Sequence, residues 1–457
     1  MANTFFRKST ITLEPDKTIY QKLGFNRNPF PSKPSVVVGS PNPVENGTIY
    51  LQELHEAERL RFEELLIPTP KRPDTRSIVF LMDYATQKGR GIGKTSFLYH
   101  QYQRIMSDFG AELSDNSQVI FAAYVLPISG EYTKFWQFTK LLTSSLVDQN
   151  IVASAIWRLR AFWGGIPEEV LARVGNEPEQ TIGNNAWLKE QGVDPFMILP
   201  HSMKGGFSKL GISEKLMAGL MQWGESAELF KRNFFAGISD FEWRKDDGKL
   251  LFDDLVKVFC AAGFTKGLFL CDAMEKIIQS QNAKERRDFT EAIRYFFVDG
   301  ICENSRLSLY SLLLTIHPYS QELLSPHWNA SGLDRFADLS GERKDDYTVY
   351  IHPLSDKSAI PLAQVYLDAA RSAESKKKAI EPFTTQALEG AILATSRVPG
   401  KFLTLLHIAI EKAIQENWRE IGAKQMQMVI EARAHLEDKK DGPEILPPSS
   451  ISLQRDE

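Results

Sequence analysis

The sequence predicts an α/β fold in which helices cover a mostly parallel β-sheet, with a helical domain after it. Short apolar runs alternate with helix-like segments through the first three quarters of the chain, a pattern typical of parallel sheets. A glycine-rich segment separates the first of these runs from the helix that follows it. From about residue 355 onward the apolar spacing is that of helices only.

Four apolar runs rich in strand-forming residues are the predicted strands of this sheet. They span 77–82, 118–126, 267–271 and 307–316. The helices predicted between and after them span 95–106, 135–146, 250–262 and 286–297. Four further helices are predicted toward the end of the chain, over 359–371, 385–395, 402–417 and 423–436.

The chain is predicted to contain two domains, with an introductory segment and a tail. Residues 1–75 carry turn-forming Pro, Asn and Gly and one helix, and we expect a lead-in segment without a core of its own. The sheet domain spans 76–350 and includes a mostly helical insertion at about 150–245, where the periodicity is irregular. A helical lid domain follows over 351–437, and the polar tail 438–457 is expected to be disordered.

The composition is that of an ordinary globular protein. The 457 residues are 43% hydrophobic and 25% charged, which excludes collagen-like, disordered and coiled-coil classes. The formal net charge is −4, so any surface for nucleic acid would have to be a local patch. The first residues lack the apolar core of a signal peptide, and no apolar run is long enough to span a membrane. We therefore expect a soluble, cytoplasmic protein with no membrane partner.

The three cysteines give no sign of a metal site or a disulfide framework. Cys260, Cys271 and Cys302 are odd in number, lie in apolar surroundings and have no C-x-x-C spacing. This pattern fits a reducing cytosol.

The strongest motif is the segment KGRGIGKTS at 88–96, between the first predicted strand and its helix. A loop that wraps a triphosphate needs glycines where the main chain approaches phosphate, N–H groups at a helix start, a lysine, and a hydroxyl for Mg²⁺. The segment supplies all of these, although Lys88 stands where the usual first glycine would be. The alternative is a tight turn with a capping threonine, which leaves the lysine and the spaced glycines unexplained. The predicted nucleotide contacts are Gly89, Arg90, Gly91, Ile92, Gly93, Lys94, Thr95 and Ser96.

A triphosphate loop predicts a second element, an apolar strand that ends in an acidic residue on the metal side of the site. The run GLFLC at 267–271 is followed directly by Asp272. Asp272 is therefore the predicted carboxylate beside Mg²⁺, together with the hydroxyl of Thr95. The alternative for Asp272 is an N-cap of the helix after the strand.

The sequence leaves open which residue would activate the attacking water. P-loop ATPases with an additional strand commonly place a glutamate directly after the aspartate, and here that position holds Ala273. Glu275 is one candidate, because a helix that begins at Asp272 would turn it back toward the same face. Glu131, just after the second predicted strand, is another. The third interpretation is slow or absent hydrolysis, in which case the protein is a nucleotide-dependent switch.

The order of these motifs resembles that of the AAA+ ATPases. The glycine loop, the Asp272 strand, a strand that carries Thr315 near its end, and the lid segment VPGKFL at 398–403 follow one another as they do in that class. The branch that the chain resembles contains the origin-recognition and Cdc6-like initiators and the ExeA-like transposition ATPases. The resemblance implies a P-loop sheet domain with a helical lid, ATP and Mg²⁺ as cofactors, and an oligomeric assembly.

Three further stretches extend the resemblance. The stretch LGFNRNPF at 23–30 looks like the entry segment of the ExeA-like group, which lies against the adenine. The stretch 255–276 is similar to a signature of ATPases in bacterial phage-defence systems such as the BREX type, except that Ala273 departs from it. HPLS at 352–355 looks like the opening of the lid helices in these groups.

The resemblance also implies roles for three more residues. Thr315 would sense the nucleotide from the tip of the fourth predicted strand. Arg335 lies in GLDRF, where an arginine would complete the site of a neighbouring subunit, and the alternative is a surface arginine. Lys401, at the entry to the third lid helix, would fold over the γ-phosphate, and the alternative is a solvated cation at a helix start.

The expected function is an ATP-binding AAA+ ATPase or nucleotide switch that acts in a homo-oligomer or hetero-complex on DNA or a DNA-bound partner. Phage defence or mobile-element biology is the pathway that the resemblance implies. Basic clusters at 71–72, 284–287 and 376–378 are candidate DNA contacts, with solvated helix faces as the alternative. The other functions considered are a non-hydrolysing ATP-gated scaffold and a replication-initiator-like loader.

Overall fold

The computed structural model describes residues 19–34, 36–84, 91–202, 211, 247–372 and 379–438. Contacts between residues divide the chain into two compact units. The larger one, here called the sheet unit, comprises the described residues from His55 to His352 except for Gly91 and Ile92. The smaller one, the lid unit, comprises those two residues, the described residues up to Leu54, and those from Pro353 onward.

Five parallel strands form the sheet of the sheet unit, in the order β2-β3-β4-β1-β5. They are β1 (Ile78–Asp83), β2 (Ile120–Val125), β3 (Lys266–Cys271), β4 (Tyr310–Thr315) and β5 (Thr348–Ile351). Every residue of the four longer strands is buried, which is the state that continuous apolar runs favour in a sheet covered on both faces. The predicted parallel α/β architecture is therefore confirmed.

The sheet unit also contains helices, which cover the sheet or form the insertion. In chain order they are α1 (Glu56–Leu66), α2 (Lys94–Asp108), α3 (Phe135–Asp148), α4 (Ile151–Trp163), α5 (Glu168–Leu171), α6 (Asn185–Glu190), α7 (Pro195–Ser202), α8 (Asp247–Ala261), α9 (Glu275–Ile278), α10 (Ala283–Phe297), α11 (Glu303–Leu307) and α12 (Pro318–Ala330). Helix α2 packs on one face, where the rings of Tyr99 and Tyr102 contact that of Tyr124 in β2. In the part of the chain that the structure describes, no helix is both long and apolar enough to cross a membrane.

The main hydrophobic core lies on the opposite face of the sheet, with side chains from α3, α4, α8 and α10. Its centre is aromatic: the ring centroid of Tyr310 lies 4.8 Å from that of Phe252 and 5.1 Å from that of Phe269. Gly267 of β3 makes room for Phe121 of the neighbouring strand, because a Cβ at this position would overlap the Phe121 ring. Glycine is therefore required at this point by packing.

The described part of the insertion is helical and consists of α4 to α7. Ile151, Ile156 and Leu159 of α4 are buried in the main core, so this helix belongs to the body of the sheet unit. The shorter helices enclose a second apolar cluster, made of Ile166, Val170, Ile182, Leu188 and Ile198. Apart from Gly211, the remainder of the insertion up to residue 246 lies outside the described residues.

The lid unit is built on four helices, α13 (Ala359–Ala370), α14 (Thr385–Ala394), α15 (Pro399–Gln415) and α16 (Ala423–Asp438). The stretch 23–30 packs into the core of these helices. The Phe30 ring lies 6.2 Å from that of Tyr366, and Asn28 donates a hydrogen bond to Glu411 (2.7 Å). The predicted lead-in segment is therefore divided between the two units. Its described part up to Leu54 packs with the lid helices, and α1 packs in the sheet unit.

The predicted strands differ from the structure in two details, a strand that begins later than predicted and a strand that was not predicted. The predicted strand 307–316 begins too early, because α11 ends at Leu307 and Ser308 adopts a left-handed φ of 51°, which interrupts an extended run. The strand therefore starts at Tyr310. The edge strand β5 is absent from the prediction, since its four residues TVYI follow a run of charged residues and are too few to show a pattern.

Candidate functional site

Three polar residues mark the carboxyl-terminal edge of the sheet, the place where parallel α/β folds bind ligands. Asp83 ends β1, Asp272 follows β3 directly, and Thr315 ends β4. Because β4 pairs with both β1 and β3, the tips of these strands lie side by side. All three residues are buried, so their polar atoms need partners within the protein or from a ligand.

Helix α2 starts at the same edge. Its N-cap, Gly93, has a left-handed φ of 108°, and within the described residues no side chain caps the helix start. The backbone therefore favours glycine, and a Cβ at Gly93 would in addition lie 3.3 Å from Nε2 of buried His55, which is a tight contact. The N–H groups of the first turn are thus available to an anion.

A buried carboxylate lies beside the His55 ring. Glu58 Oε1 lies 3.8 Å from Nδ1 of His55 and 2.8 Å from Nδ1 of His352. Burial alone would raise the pKa of Glu58, but its contacts with the two histidines lower it to about 2. An ionised carboxylate therefore lies beside the ring that a Cβ at Gly93 would contact.

Asp272 is bonded to the start of α2. The hydroxyl of Thr95 donates to Asp272 Oδ2 (2.7 Å), and the hydroxyl of Tyr124 donates to the same oxygen (2.8 Å). Burial and the neighbouring carboxylate raise the pKa of Tyr124, so its hydroxyl keeps its proton and acts as a donor. The backbone N–H of Ala273 donates to the other oxygen, Oδ1 (2.8 Å).

The turn after Asp272 does not use that residue as a helix cap. Helix α9 begins at Glu275, its N-cap is Met274, and no side-chain cap is present among the residues that the structure describes. Ala273 has a left-handed φ of 51°, a conformation that costs an alanine roughly 1–2 kcal/mol. The backbone N–H of Met274 donates to Thr315 Oγ1 (3.4 Å), which ties the tip of β4 to this turn.

Lys94 forms a buried ion pair that the sequence does not predict. Its Nζ lies 2.6 Å from Oδ1 of Asp83, whose side chain is fully buried, while the Lys94 side chain is 15% exposed. The second oxygen of Asp83, Oδ2, is buried and has no hydrogen-bond partner among the described residues. The residues that the structure brings together are thus Lys94, Thr95 and Asp272, with Asp83 and Tyr124 beside them.

Neither candidate for the catalytic base is bonded to this group. Glu275 is half-buried at the start of α9, and Glu131 is exposed in the connection between β2 and α3. Among the described residues no hydrogen bond or ion pair joins either carboxylate to Lys94 or Asp272. The geometry therefore does not choose between them.

Arg335 lies on the surface of the sheet unit. It ends a 3-10 turn, Leu333–Arg335, its side chain is exposed, and its carbonyl accepts a hydrogen bond from Nη2 of Arg343 (3.1 Å). Its guanidinium makes no ion pair with any described residue.

The other predicted nucleotide contacts are distributed between the two units. Ser96 is half-buried in the first turn of α2, in the sheet unit. Within the lid unit, Lys401 is half-buried near the start of α15, and the carbonyl of Gly91 accepts a hydrogen bond from the N–H of Gly400 (2.8 Å). Ile92 is buried. The predicted contacts Gly89 and Arg90, and Lys88 before them, lie outside the described residues.

Asp83 and Tyr124 are site residues that sequence reasoning missed. Asp83 carried the same signal as Asp272, since it is an acidic residue at the end of an apolar strand, IVFLMD. Tyr124 had no such sequence signal, because a tyrosine inside the apolar run IFAAYV is expected to be a core residue.

The residues present fit a magnesium-bound nucleotide polyphosphate. The uncapped helix start, the left-handed glycine at its N-cap and the lysine on its first residue all suit an anion with several oxygens. In the described ranges no three His, Cys, Asp or Glu side chains converge as a metal site. A divalent ion at Thr95 and Asp272 would thus need ligand oxygens from the phosphates, as Mg²⁺ commonly has.

Comparison with known proteins adds little to this geometry. No protein-family model matches the sequence, and no curated protein sequence matches it. Among solved structures, the chain is similar to one described as the Aeropyrum pernix ORC2 protein in ADPNP-ADP complexes. The identity is 8%, the match covers 87% of this chain and 69% of that one, and the TM-score is 0.43. A similarity of this degree does not establish a family or a function.

Proposed function

We propose that the chain binds ATP with Mg²⁺ at the start of α2 and acts as an AAA+-type ATPase or nucleotide switch. One observation carries this proposal. Two segments that the sequence marks independently, the glycine loop and the acidic strand, are joined by the hydrogen bond from Thr95 to Asp272 across 177 residues of sequence. A chance glycine turn would not place its threonine on the predicted metal-side carboxylate.

The roles proposed for these residues follow from their chemistry. Lys94 would contact the β- and γ-phosphates, the first-turn N–H groups of α2 would bind phosphate oxygens, and Thr95 with Asp272 would hold Mg²⁺. The metal would neutralise phosphate charge. Tyr124 would hold the Asp272 carboxylate in place, because its hydroxyl already donates to it. Gly89, Arg90, Gly91, Ile92 and Ser96 remain proposed contacts of the loop.

Two versions of this function differ in whether ATP is hydrolysed. In the ATPase version Glu275 activates water, with Glu131 as the alternative, and Thr315 senses the nucleotide. In the switch version nucleotide binding alone changes the state of an assembly. The switch is favoured by one specific observation, that Ala273 occupies the position where a glutamate is usual and does so in a left-handed conformation.

The assembly and its target are proposed from the sequence. We propose an oligomer in which Arg335, exposed and unpaired among the described residues, reaches the nucleotide of a neighbouring subunit. Lys401 is proposed to contact the γ-phosphate from the lid. The proposed target is DNA or a DNA-bound protein in phage defence or mobile-element biology, because of the resemblance of 23–30 and 255–276.

The binding proposal is tested by ATP-dependent stabilisation. At a ligand concentration one hundredfold above Kd, MgATP should raise the unfolding free energy by about 2.7 kcal/mol, seen as a higher melting temperature. Lys94→Ala should abolish this shift. The matched control is Lys257→Ala, which removes another half-buried lysine that pairs with an aspartate, Asp254, at 3.3 Å. A shift that persists undiminished in Lys94→Ala would refute the assignment of the loop.

A further inference from the structure

We propose that Asp83 competes with the nucleotide for Lys94. The Lys94 ammonium must leave the buried Asp83 carboxylate before it can bind phosphate. This inference rests on the proposed function and adds a regulatory residue to the same site. Its starting point is the ion pair between Lys94 Nζ and Asp83 Oδ1, 2.6 Å long, at the start of the helix that would bind phosphate. A carboxylate and a phosphate are both anions whose oxygens accept hydrogen bonds, so both groups can bind the Lys94 ammonium.

Asp83 depends on Lys94 for its only side-chain hydrogen bond in the described part of the chain. Its side chain is fully buried, and Oδ2 has no partner there. An ionised carboxylate left buried without a partner is among the most costly arrangements in a protein. Moving Lys94 onto a phosphate therefore carries a cost that a site without Asp83 would not have.

The second carboxylate of the site behaves differently. Asp272 accepts hydrogen bonds from Thr95, Tyr124 and the N–H of Ala273. If the Thr95 hydroxyl binds a ligand instead, Asp272 still accepts hydrogen bonds from the Tyr124 hydroxyl and from the N–H of Ala273. Asp83, rather than Asp272, is thus the carboxylate that is left without a partner when the nucleotide binds.

The fold fixes Asp83 and leaves Lys94 as the partner that moves. Asp83 ends a buried strand and pairs in register with Ile351 of β5, so its carboxylate stays at the sheet edge. Lys94 has a long flexible side chain on the first residue of α2, and it is partly exposed. The ammonium can therefore leave Asp83 without a change in the strand.

The test is calorimetric titration of MgATP into the full-length chain and its Asp83→Asn variant. Asparagine keeps the shape of the side chain and removes its charge, so MgATP should bind about tenfold more tightly. This change in Kd is smaller than the effects usually measured when one partner of a buried charge pair is removed. The matched control is Asp254→Asn, which removes the charge of an aspartate paired to Lys257 on helix α8 and should leave Kd unchanged. An unchanged or higher Kd in Asp83→Asn would overturn the inference.

A second measurement needs no nucleotide and serves if Asp83→Asn folds poorly. In the nucleotide-free protein Lys94→Ala should lower the urea midpoint, because it leaves Asp83 buried and unpaired, and the double variant Asp83→Ala/Lys94→Ala should recover part of it. Additive effects of the two substitutions would overturn the inference.

The two proposals fail in different ways. Loss of MgATP binding in Lys94→Ala with no gain in Asp83→Asn would overturn the inference and leave the proposed function in place. Absence of MgATP binding in the wild type and in every variant would overturn both. Binding by Asp83→Asn but not by the wild type would support both, with Asp83 as a complete block.

Discussion

Replacing Gly93 with alanine should damage the site more than the loss of one glycine would normally suggest. Two costs add at this position. The φ of 108° lies outside the small left-handed region that alanine tolerates, and left-handed backbone costs a non-glycine residue roughly 1–2 kcal/mol. The new Cβ would also lie 3.3 Å from Nε2 of His55, a buried side chain with little room to move. We expect the unfolding free energy to fall by about 2 kcal/mol or more.

A matched glycine separates the two costs. Gly130 also has a positive φ, 82°, but a Cβ there would meet no atom within 4 Å. Gly130→Ala should therefore carry only the backbone cost, about 1 kcal/mol. Gly93→Ala should also weaken MgATP binding at least tenfold, because the start of α2 must shift to accommodate it, and Gly130→Ala should not.

The assays are urea unfolding and MgATP titration of both variants beside the wild type. The reasoning would be refuted if Gly93→Ala matched Gly130→Ala in stability and in MgATP affinity. That result would mean that neither the contact with His55 nor the position of the helix start matters to the site.

Two other expectations concern protonation and catalysis. Burial lowers the pKa of Lys266 from 10.5 to about 8, so at this residue the unfolded state binds more protons between these values, and the contribution of Lys266 to stability should rise with pH by about 3 kcal/mol across that window. Buried tyrosines with a raised pKa, such as Tyr124 and Tyr310, lower the stability near pH 10 in any variant, so the quantity to measure is a difference. From pH 7 to 10.5 the unfolding free energy of the wild type should rise relative to that of Lys266→Met, and parallel pH profiles of the two proteins would contradict this. If Glu275 activates water, Glu275→Gln should bind MgATP normally and lose about 10²–10⁴-fold in turnover. A loss confined to Glu131→Gln would transfer the role, and a wild type without turnover would support the switch.

The sheet was predictable because its four longer strands are visible in the sequence as apolar runs. Four buried strands are continuous apolar runs separated by periodic helices, and this pattern implies parallel pairing with helices on both faces. The edge strand Thr348–Ile351 had no such signal, because it is too short to show a pattern and its pairing with β1 is a long-range contact. Local sequence does not encode which strand closes an edge.

The candidate site was predictable where spacing along the chain constrains chemistry. The residues Lys94 and Thr95 stand together in the glycine loop, and Asp272 follows a strand that such a loop requires. The ion pair of Lys94 with Asp83 was not predictable, since the two residues meet only because the helix start folds back onto the tip of β1. The role of Tyr124 was not predictable either, because only tertiary packing directs its hydroxyl to Asp272.

The most direct test of the central claim is a structure of this chain with Mg²⁺ and a non-hydrolysable ATP analogue. We expect the triphosphate at the start of α2, with Lys94 Nζ moved from Asp83 onto the β- and γ-phosphates. The metal should be bonded to Thr95 Oγ1 on the side of Asp272. A nucleotide bound elsewhere on the chain, or bound here with Lys94 still paired to Asp83 and no metal at Thr95, would contradict the central claim.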